Sequence, residues 1–160
     1  MRLTLALLCG LVILALGGCG TIPRDPDGTL ERVRSEQSLR VGASDGADRL
    51  EVHVAGDGGA EVSGTEADLV SGFAEELGAQ IEWTVGGETE LVHAMERGEL
   101  DVIIGGLHSD SPWADAVSLT RPYAESTDPE GSTVQHVLAV PLGENGFLVT
   151  LERYLDREAE

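Results

Sequence analysis

"TEADLVSGFAEELGAQIEWTVGGETELVHAMERGELDVIIGG", residues 65–106, switches twice between a helical and an extended period. In Thr65–Ala79, Leu69, Val70, Phe73 and Leu77 recur at helical spacing, which predicts a helix with one apolar face. Thr65 is its expected N-cap, with Asp68 three residues on as an acidic variant of the capping box. Gly78 is its expected stop. Gln80–Val85 alternates apolar and polar residues and predicts a strand. Glu88–Arg97 places Leu91, Val92 and Met95 on one helical face, and Gly98 ends it. Leu100–Gly106 carries a continuous apolar run, as expected of a strand covered on both faces. Helices alternating with strands require a parallel sheet joined by right-handed crossovers. Ligands on such sheets sit beyond the carboxyl ends of the strands. The loop after Ile104 is one such place.

The flanks extend the pattern. Ser38–Ser44 predicts a first strand, and Arg49–Gly64 predicts a β-hairpin around the turn "GDGG". Thr29–Ser38 predicts a short helix capped by Thr29. Toward the carboxyl end, Gln135–Val140 predicts a returning strand. A closing helix is expected beyond it, with Phe147, Leu148, Leu151, Tyr154 and Leu155 on one face. Between Tyr123 and that strand, Ala124–Val134 is a polar connector with one Val and no other large apolar residue.

The amino terminus bears on compartment. Arg2 precedes a nearly unbroken apolar run, Leu3–Leu16, followed by Gly17, Gly18 and Cys19. The run is too short and wrongly flanked for a spanning helix and predicts a secretory signal over residues 1–18. "LGGC" resembles a bacterial lipobox, which implies lipidation of Cys19 and attachment of the exported chain to a membrane. Cys9 lies within the signal, so the mature chain has no cysteine pair for an internal disulfide. Gly20–Gly28, with two prolines and two glycines, predicts a tether. The expected organisation is a signal over 1–18, a lipidated tether and short helix over 19–37, and one domain over 38–160. The formal net charge is −19, and the 10 basic residues are all arginine. Such a surface repels nucleic acid, which is excluded as a partner.

The pieces "LRVGAS", "GTEADLVSGFAEELGAQIEW", "ELVHAMERGELDVIIGGLHSD" and "WADAVSLTRPYAES", in this order, resemble the family-3 extracellular solute-binding proteins of bacterial ABC transporters. Gly64, Glu66, Asp68 and Leu69 match the family's first helix start. Gly98, Asp101, Val102, Ile103, Ile104 and Gly106 match its buried strand. Val117, Leu119, Thr120, Pro122 and Tyr123 match the segment that leads out of its first lobe. The resemblance implies an α/β fold: a periplasmic-binding-protein-type lobe with a mainly parallel three-layer sheet, a returning C-terminal strand and a closing helix. The family inserts a second lobe after the Pro-Tyr segment. Here only residues 124–134 stand there, so a single lobe is expected.

The resemblance also places a carboxylate clamp, Thr-x-x-Arg, in the loop after the buried strand. In this chain Asp110 and Trp113 occupy those positions. An acid and an indole cannot hold a carboxylate; a cation, an amine or an aromatic suits them better. The candidate ligand-binding residues are therefore Gly106, His108, Asp110, Trp113 and Arg121. Packing for Trp113 and local capping for Asp110 are the competing roles. Asp68 and Asp101 are expected to be structural. No metal site, cofactor or enzymatic motif is expected. The functional expectation is a lipid-anchored solute-binding lobe at the periplasmic or extracellular face. It would serve an ABC permease and bind a small polar or amino-acid-like solute, with self-association able to restore a second wall. The alternative is a regulatory or scaffold lipoprotein that contacts another membrane protein.

Overall fold

A computed structural model of the chain describes residues 24–44, 50–54 and 60–158. The elements are α1 (Thr29–Glu36), β1 (Ser38–Ser44), β2 (Glu51–Val54), β3 (Ala60–Ser63), α2 (Thr65–Leu77), β4 (Gln80–Gly86), α3 (Glu88–Glu96), β5 (Val102–Ile104), β6 (Val117–Leu119), β7 (Ala124–Thr127), β8 (Thr133–His136), β9 (Ala139–Pro141) and α4 (Asn145–Glu158). The central sheet has the order β4-β1-β5-β9-β6. β1 pairs in parallel with β4 and β5, whereas β9 runs antiparallel to β5 and β6. The expected mainly parallel α/β lobe is therefore present, with β9 as the returning strand and α4 as the closing helix.

Strand alternation sorts the core into two halves. Leu39, Val41 and Ala43 of β1, with Val102 and Ile104 of β5, face α2 and α4, where Val70, Phe73, Phe147 and Leu151 are fully buried. Ile103 and Ala139 face the other way, toward Leu91, Val92 and Met95 of α3. Helices thus cover both faces, which explains why Val102–Ile104 is apolar without alternation. Phe73 stands at the centre of the first half, 5.8 Å from the Phe147 ring and 5.5 Å from the Tyr154 ring.

Three expectations need correction. The helix caps are not local: α1 follows Gly28 and α2 follows Gly64, and neither Thr29 nor Thr65 caps its helix through its side chain. At α1 the orphan amides are taken by two carboxylates, one distant and one just ahead of the helix. Glu144 accepts from the N–H groups of Asp27 and Thr29 at 2.9 and 2.8 Å, and Asp25 accepts from Leu30 N–H at 3.3 Å. The connector 124–134 is not featureless: β7 and β8 form an antiparallel hairpin, closed where Gly131 and Ser132 donate to Asp128. Finally, the expected strand Gln135–Val140 is divided between two sheets, because the chain leaves the hairpin at His136 and enters the central sheet at Ala139. At the break, Leu138 N–H donates to Thr120 Oγ1 at 3.0 Å, and Thr120 N–H donates to the Leu138 carbonyl. The second-lobe position is thus occupied by a two-stranded ribbon. The signal, Cys19 and the "GDGG" turn lie outside the described residues.

Candidate functional site

β1 and β5 end side by side, and Gly105 makes this end possible. Its φ is 119°, and a Cβ there would stand 2.5 Å from the Ser44 carbonyl oxygen. The backbone turns away here and starts the loop 105–116. Glu66, the second residue of α2, reaches under the turn. Its side chain is completely buried. It accepts Gly105 N–H at 2.6 Å and the Tyr123 hydroxyl at 2.6 Å, with Gly106 N–H further off at 3.4 Å. A carboxylate at the N-terminus of α2 is also favoured by the helix dipole. Glu66 therefore joins α2, the β5 loop and the segment entering the hairpin.

Beyond Gly106 the loop lies along the hairpin. His108 forms a bridge with His136, and their rings meet edge to face at 5.2 Å. Ser109 N–H donates to the Gln135 carbonyl at 3.0 Å. His136 is buried and its Nε2 lies 2.8 Å from Ser126 Oγ, a diagonal contact across β7 and β8. Between loop and hairpin is a cavity of about 480 Å³ lined by His108, Ser109, Asp110, Asp128, Ser132, Thr133, Val134 and Gln135. Asp110 is exposed at its wall. Asp128 also lines it, although one of its carboxylate oxygens already receives Ser132 N–H at 2.7 Å.

The five candidate residues separate in space. Gly106 lies at the base of the loop over Glu66, and His108 and Asp110 line the cavity. Trp113 does not. It is half-buried against the α3 side of the core, and its carbonyl accepts from Ala116 and Val117 as the loop turns into β6. Trp113→Ala is expected to cost about 2 kcal/mol, below the range for a fully buried Trp. Urea unfolding measures the loss, and a change below a few tenths would show that the indole contributes no packing. Arg121 is also elsewhere. Its guanidinium is held by Asp156 at 2.9 Å and Glu152 at 3.1 Å on α4. These contacts raise its pKa, with the Asp156 hydrogen bond the largest cause. It is committed to α4 rather than offered to the cavity.

Sequence reasoning missed Glu66 and the hairpin wall. Glu66 matched a motif position, and that was the available signal, but nothing local shows that a glutamate in a helical first turn points inward. Among the described residues no three His, Cys, Asp or Glu side chains converge as metal ligands, and no helix is long and apolar enough to cross a membrane.

Residues 39–136 match the bacterial extracellular solute-binding proteins, family 3. Two curated relatives are named membrane-bound lytic murein transglycosylase F. That of Vibrio parahaemolyticus is 31% identical over 122 residues, which is 76% of this chain and 22% of the relative. That of Vibrio campbellii is 32% identical over 111 residues, 69% of this chain and 19% of the relative. The chain thus spans about a fifth of the curated relatives it matches. Among solved structures, the arginine-bound form of domain 1 from TmArgBP superposes with a TM-score of 0.66 at 23% identity, covering 79% of this chain and 97% of that one. An amino acid ABC transporter substrate-binding protein from Streptococcus pneumoniae, bound to L-arginine, superposes with a TM-score of 0.67 at 12% identity, covering 81% of this chain and 91% of that one. These structures share the lobe's fold, and the match spans the β1–β8 region that builds the site: the chain belongs to the bacterial extracellular solute-binding proteins, family 3.

Proposed function

We propose that the chain is an exported recognition lobe, anchored to a membrane through lipidated Cys19, that binds a small cationic, amino-acid-like solute. The observation that carries this is the cavity between the β5 loop and the hairpin. It stands at the carboxyl end of a buried strand, and Asp110 lies where a carboxylate clamp would be expected. At about 480 Å³ it falls within the size range of small-molecule sites. The arginine-bound state of the structural neighbours supports the ligand class. The ribbon β7–β8 leaves the cavity without an opposing lobe, so binding is weak and without domain closure. The lobe's own role is recognition rather than turnover. Its Ser126–His136 contact is a cross-strand pair with the imidazole packed on His108, not a nucleophile facing a ligand space.

Residues 19–160 with Cys19→Ser, tested by thermal shift against arginine, lysine, polyamines and neutral osmolytes, check this reading. A ligand at ten times its Kd stabilises by about 1.4 kcal/mol, worth a few degrees in Tm for a lobe of this size. The cationic solutes should raise Tm, and Asp110→Asn should remove the shift while leaving the unliganded Tm unchanged. No shift at millimolar solute, or the same shift in Asp110→Asn, would refute it. Delivery to an ABC permease is the role the family resemblance implies. A second reading, a regulatory lobe attached to envelope machinery, draws support from the curated relatives, whose names are those of membrane-bound cell-wall enzymes. Crosslinking in membranes separates the two by the protein captured.

A further inference from the structure

Two acidic residues far apart in sequence exchange helix N-termini. Asp25, ahead of α1, accepts Phe147 N–H of α4 at 2.9 Å as well as Leu30 N–H. Glu144, ahead of α4 and 1% exposed, accepts the N–H groups of Asp27 and Thr29. Gly146 lets Asp25 in, since a Cβ there would lie 2.9 Å from Asp25 Oδ1. From Asp25 onward the chain is therefore part of the folded body and not a tether. Only six peptide steps separate Asp25 from Cys19, a reach of roughly 20 Å when fully extended.

This mooring point is at the pole opposite the candidate site. Asp27 and Thr29 share a cavity of about 600 Å³ with Gly98, Leu100 and Asp101, which precede β5, and with Pro141, which ends the antiparallel β9. The first part of the β5 loop, through Asp110, and the hairpin cavity follow the other end of β5, whereas the loop's last residues, Asp115 and Ala116, return to the mooring pole. A lobe of this length has a radius of gyration near 14 Å and is about 37 Å across. The short tether reaches the mooring pole when that pole faces the bilayer, and also when the lobe lies on its side. It falls short by about half the distance when the lobe is inverted. The mooring pole also carries Leu142, 60% exposed. Arg32, Arg40 and Arg97 line this pole, but Asp27, Glu96, Asp101 and Asp115 line it with them, so its charge is balanced and its approach to lipid rests on the tether and Leu142.

We propose that the reciprocal Asp25–Glu144 caps moor the lobe with its α1–α4 pole against the lipid surface, so that the cavity between His108–Asp110 and the hairpin faces away from the anchoring membrane. The inference rests on the lipid anchor at Cys19 proposed above. Its consequence is that the cavity meets solutes or partners arriving from the envelope space rather than from the bilayer that holds the anchor.

The test uses the full lipidated chain in vesicles whose headgroups carry a nitroxide quencher. Its Cys19 thiol is consumed by the thioether and Cys9 is removed with the signal, so Leu142→Cys and Glu130→Cys each give a single labelling site, one at each pole. Fluorescence at position 142 should be quenched several-fold more than at position 130. Inserting a Gly/Ser stretch of about 30 residues after Gly20, with an r.m.s. length near 30 Å, should abolish the difference. Asp25→Ala and Gly146→Ala should each reduce it. Equal quenching at both poles, or stronger quenching at position 130, in a chain whose mass shows the lipid would overturn the orientation while leaving the anchor intact. A mature chain whose mass shows no lipid would overturn both.

Discussion

Asp101→Ala is expected to lower the unfolding free energy of the lobe by about 3 kcal/mol, moving Tm down by roughly 10 °C. Asp101 precedes β5, and its side chain is completely inaccessible. It accepts Arg40 N–H at 2.9 Å, Arg40 Nη2 at 2.7 Å and Arg40 Nε at 3.2 Å. It also meets Arg32 Nη2 at 2.5 Å. Burial lowers the pKa of Arg32, but its hydrogen bonds to Asp101 and Glu36 outweigh this and raise it overall. One carboxylate thus accepts from a strand amide and the Arg40 guanidinium and pairs its charge with Arg32. Removing it leaves all three short of a partner. Breaking a buried pair costs about 3–5 kcal/mol. Here the lower end applies, because Arg32 and Arg40 side chains keep 23% and 29% of their exposure and water can recover part of the loss. Asp101→Asn keeps an acceptor for the Arg40 amide and should recover about half. Arg97 supplies the control. Its pair with Glu99 is exposed, at 58% and 56%, so Arg97→Ala should leave the urea midpoint almost unchanged. Urea midpoints at unchanged m read both effects. An Asp101→Ala loss no larger than that of Arg97→Ala would show that the buried pair contributes nothing beyond a surface one.

Asp101 also shows what the sequence could reveal. Its structural role, the order of helices and strands, and the class of sheet follow from short-range periodicity. A helix face or a strand alternation is written within about fifteen residues, and β1, α2, β4 and α3 appear within one or two residues of their expected bounds. What local patterns cannot carry are contacts across long separations. Thr29 and Thr65 have the right chemistry to cap, yet α1 is capped by a carboxylate 115 residues away. Val137–Val140 is an unbroken apolar run, buried throughout, so nothing in the residue pattern marks where the backbone changes sheets. At the site, His108 and Asp110 were legible because they follow a buried strand closely. Trp113 stands at the family's clamp position and Arg121 lies near it in sequence, but the loop turns one into the α3 core and the next strand delivers the other to α4. Glu66 was hidden for the opposite reason. It lies 39 residues before the amide it holds, and a charged residue in a helical first turn is usually solvated.

Glu66→Ala is expected to cost about 3 kcal/mol and to disable the cavity as well. The stability part follows from the donors left behind. Gly105 N–H and the Tyr123 hydroxyl would lose acceptors at 2.6 Å in a site closed to water, and each orphaned donor costs about 1–3 kcal/mol. The functional part follows from position. Gly105 cannot settle elsewhere, because the Ser44 backbone lies against it. With Glu66 gone, the loop loses the contact that fixes its departure angle, and His108 and Asp110 lose their alignment with the hairpin wall. Glu66→Gln separates the two effects. Its carbonyl can still accept from Gly105, and its amide can donate to the Tyr123 oxygen, so the loss should be near 1 kcal/mol, reflecting weaker neutral hydrogen bonds. The solute-induced thermal shift should therefore survive in Glu66→Gln and vanish in Glu66→Ala. Comparing the two at equal distance below their own Tm removes the trivial effect of instability. If Glu66→Ala were destabilised yet kept the full shift, the carboxylate would be only a core fixture, and the loop would hold its binding geometry through the His108–His136 bridge and the Ser109–Gln135 hydrogen bond instead.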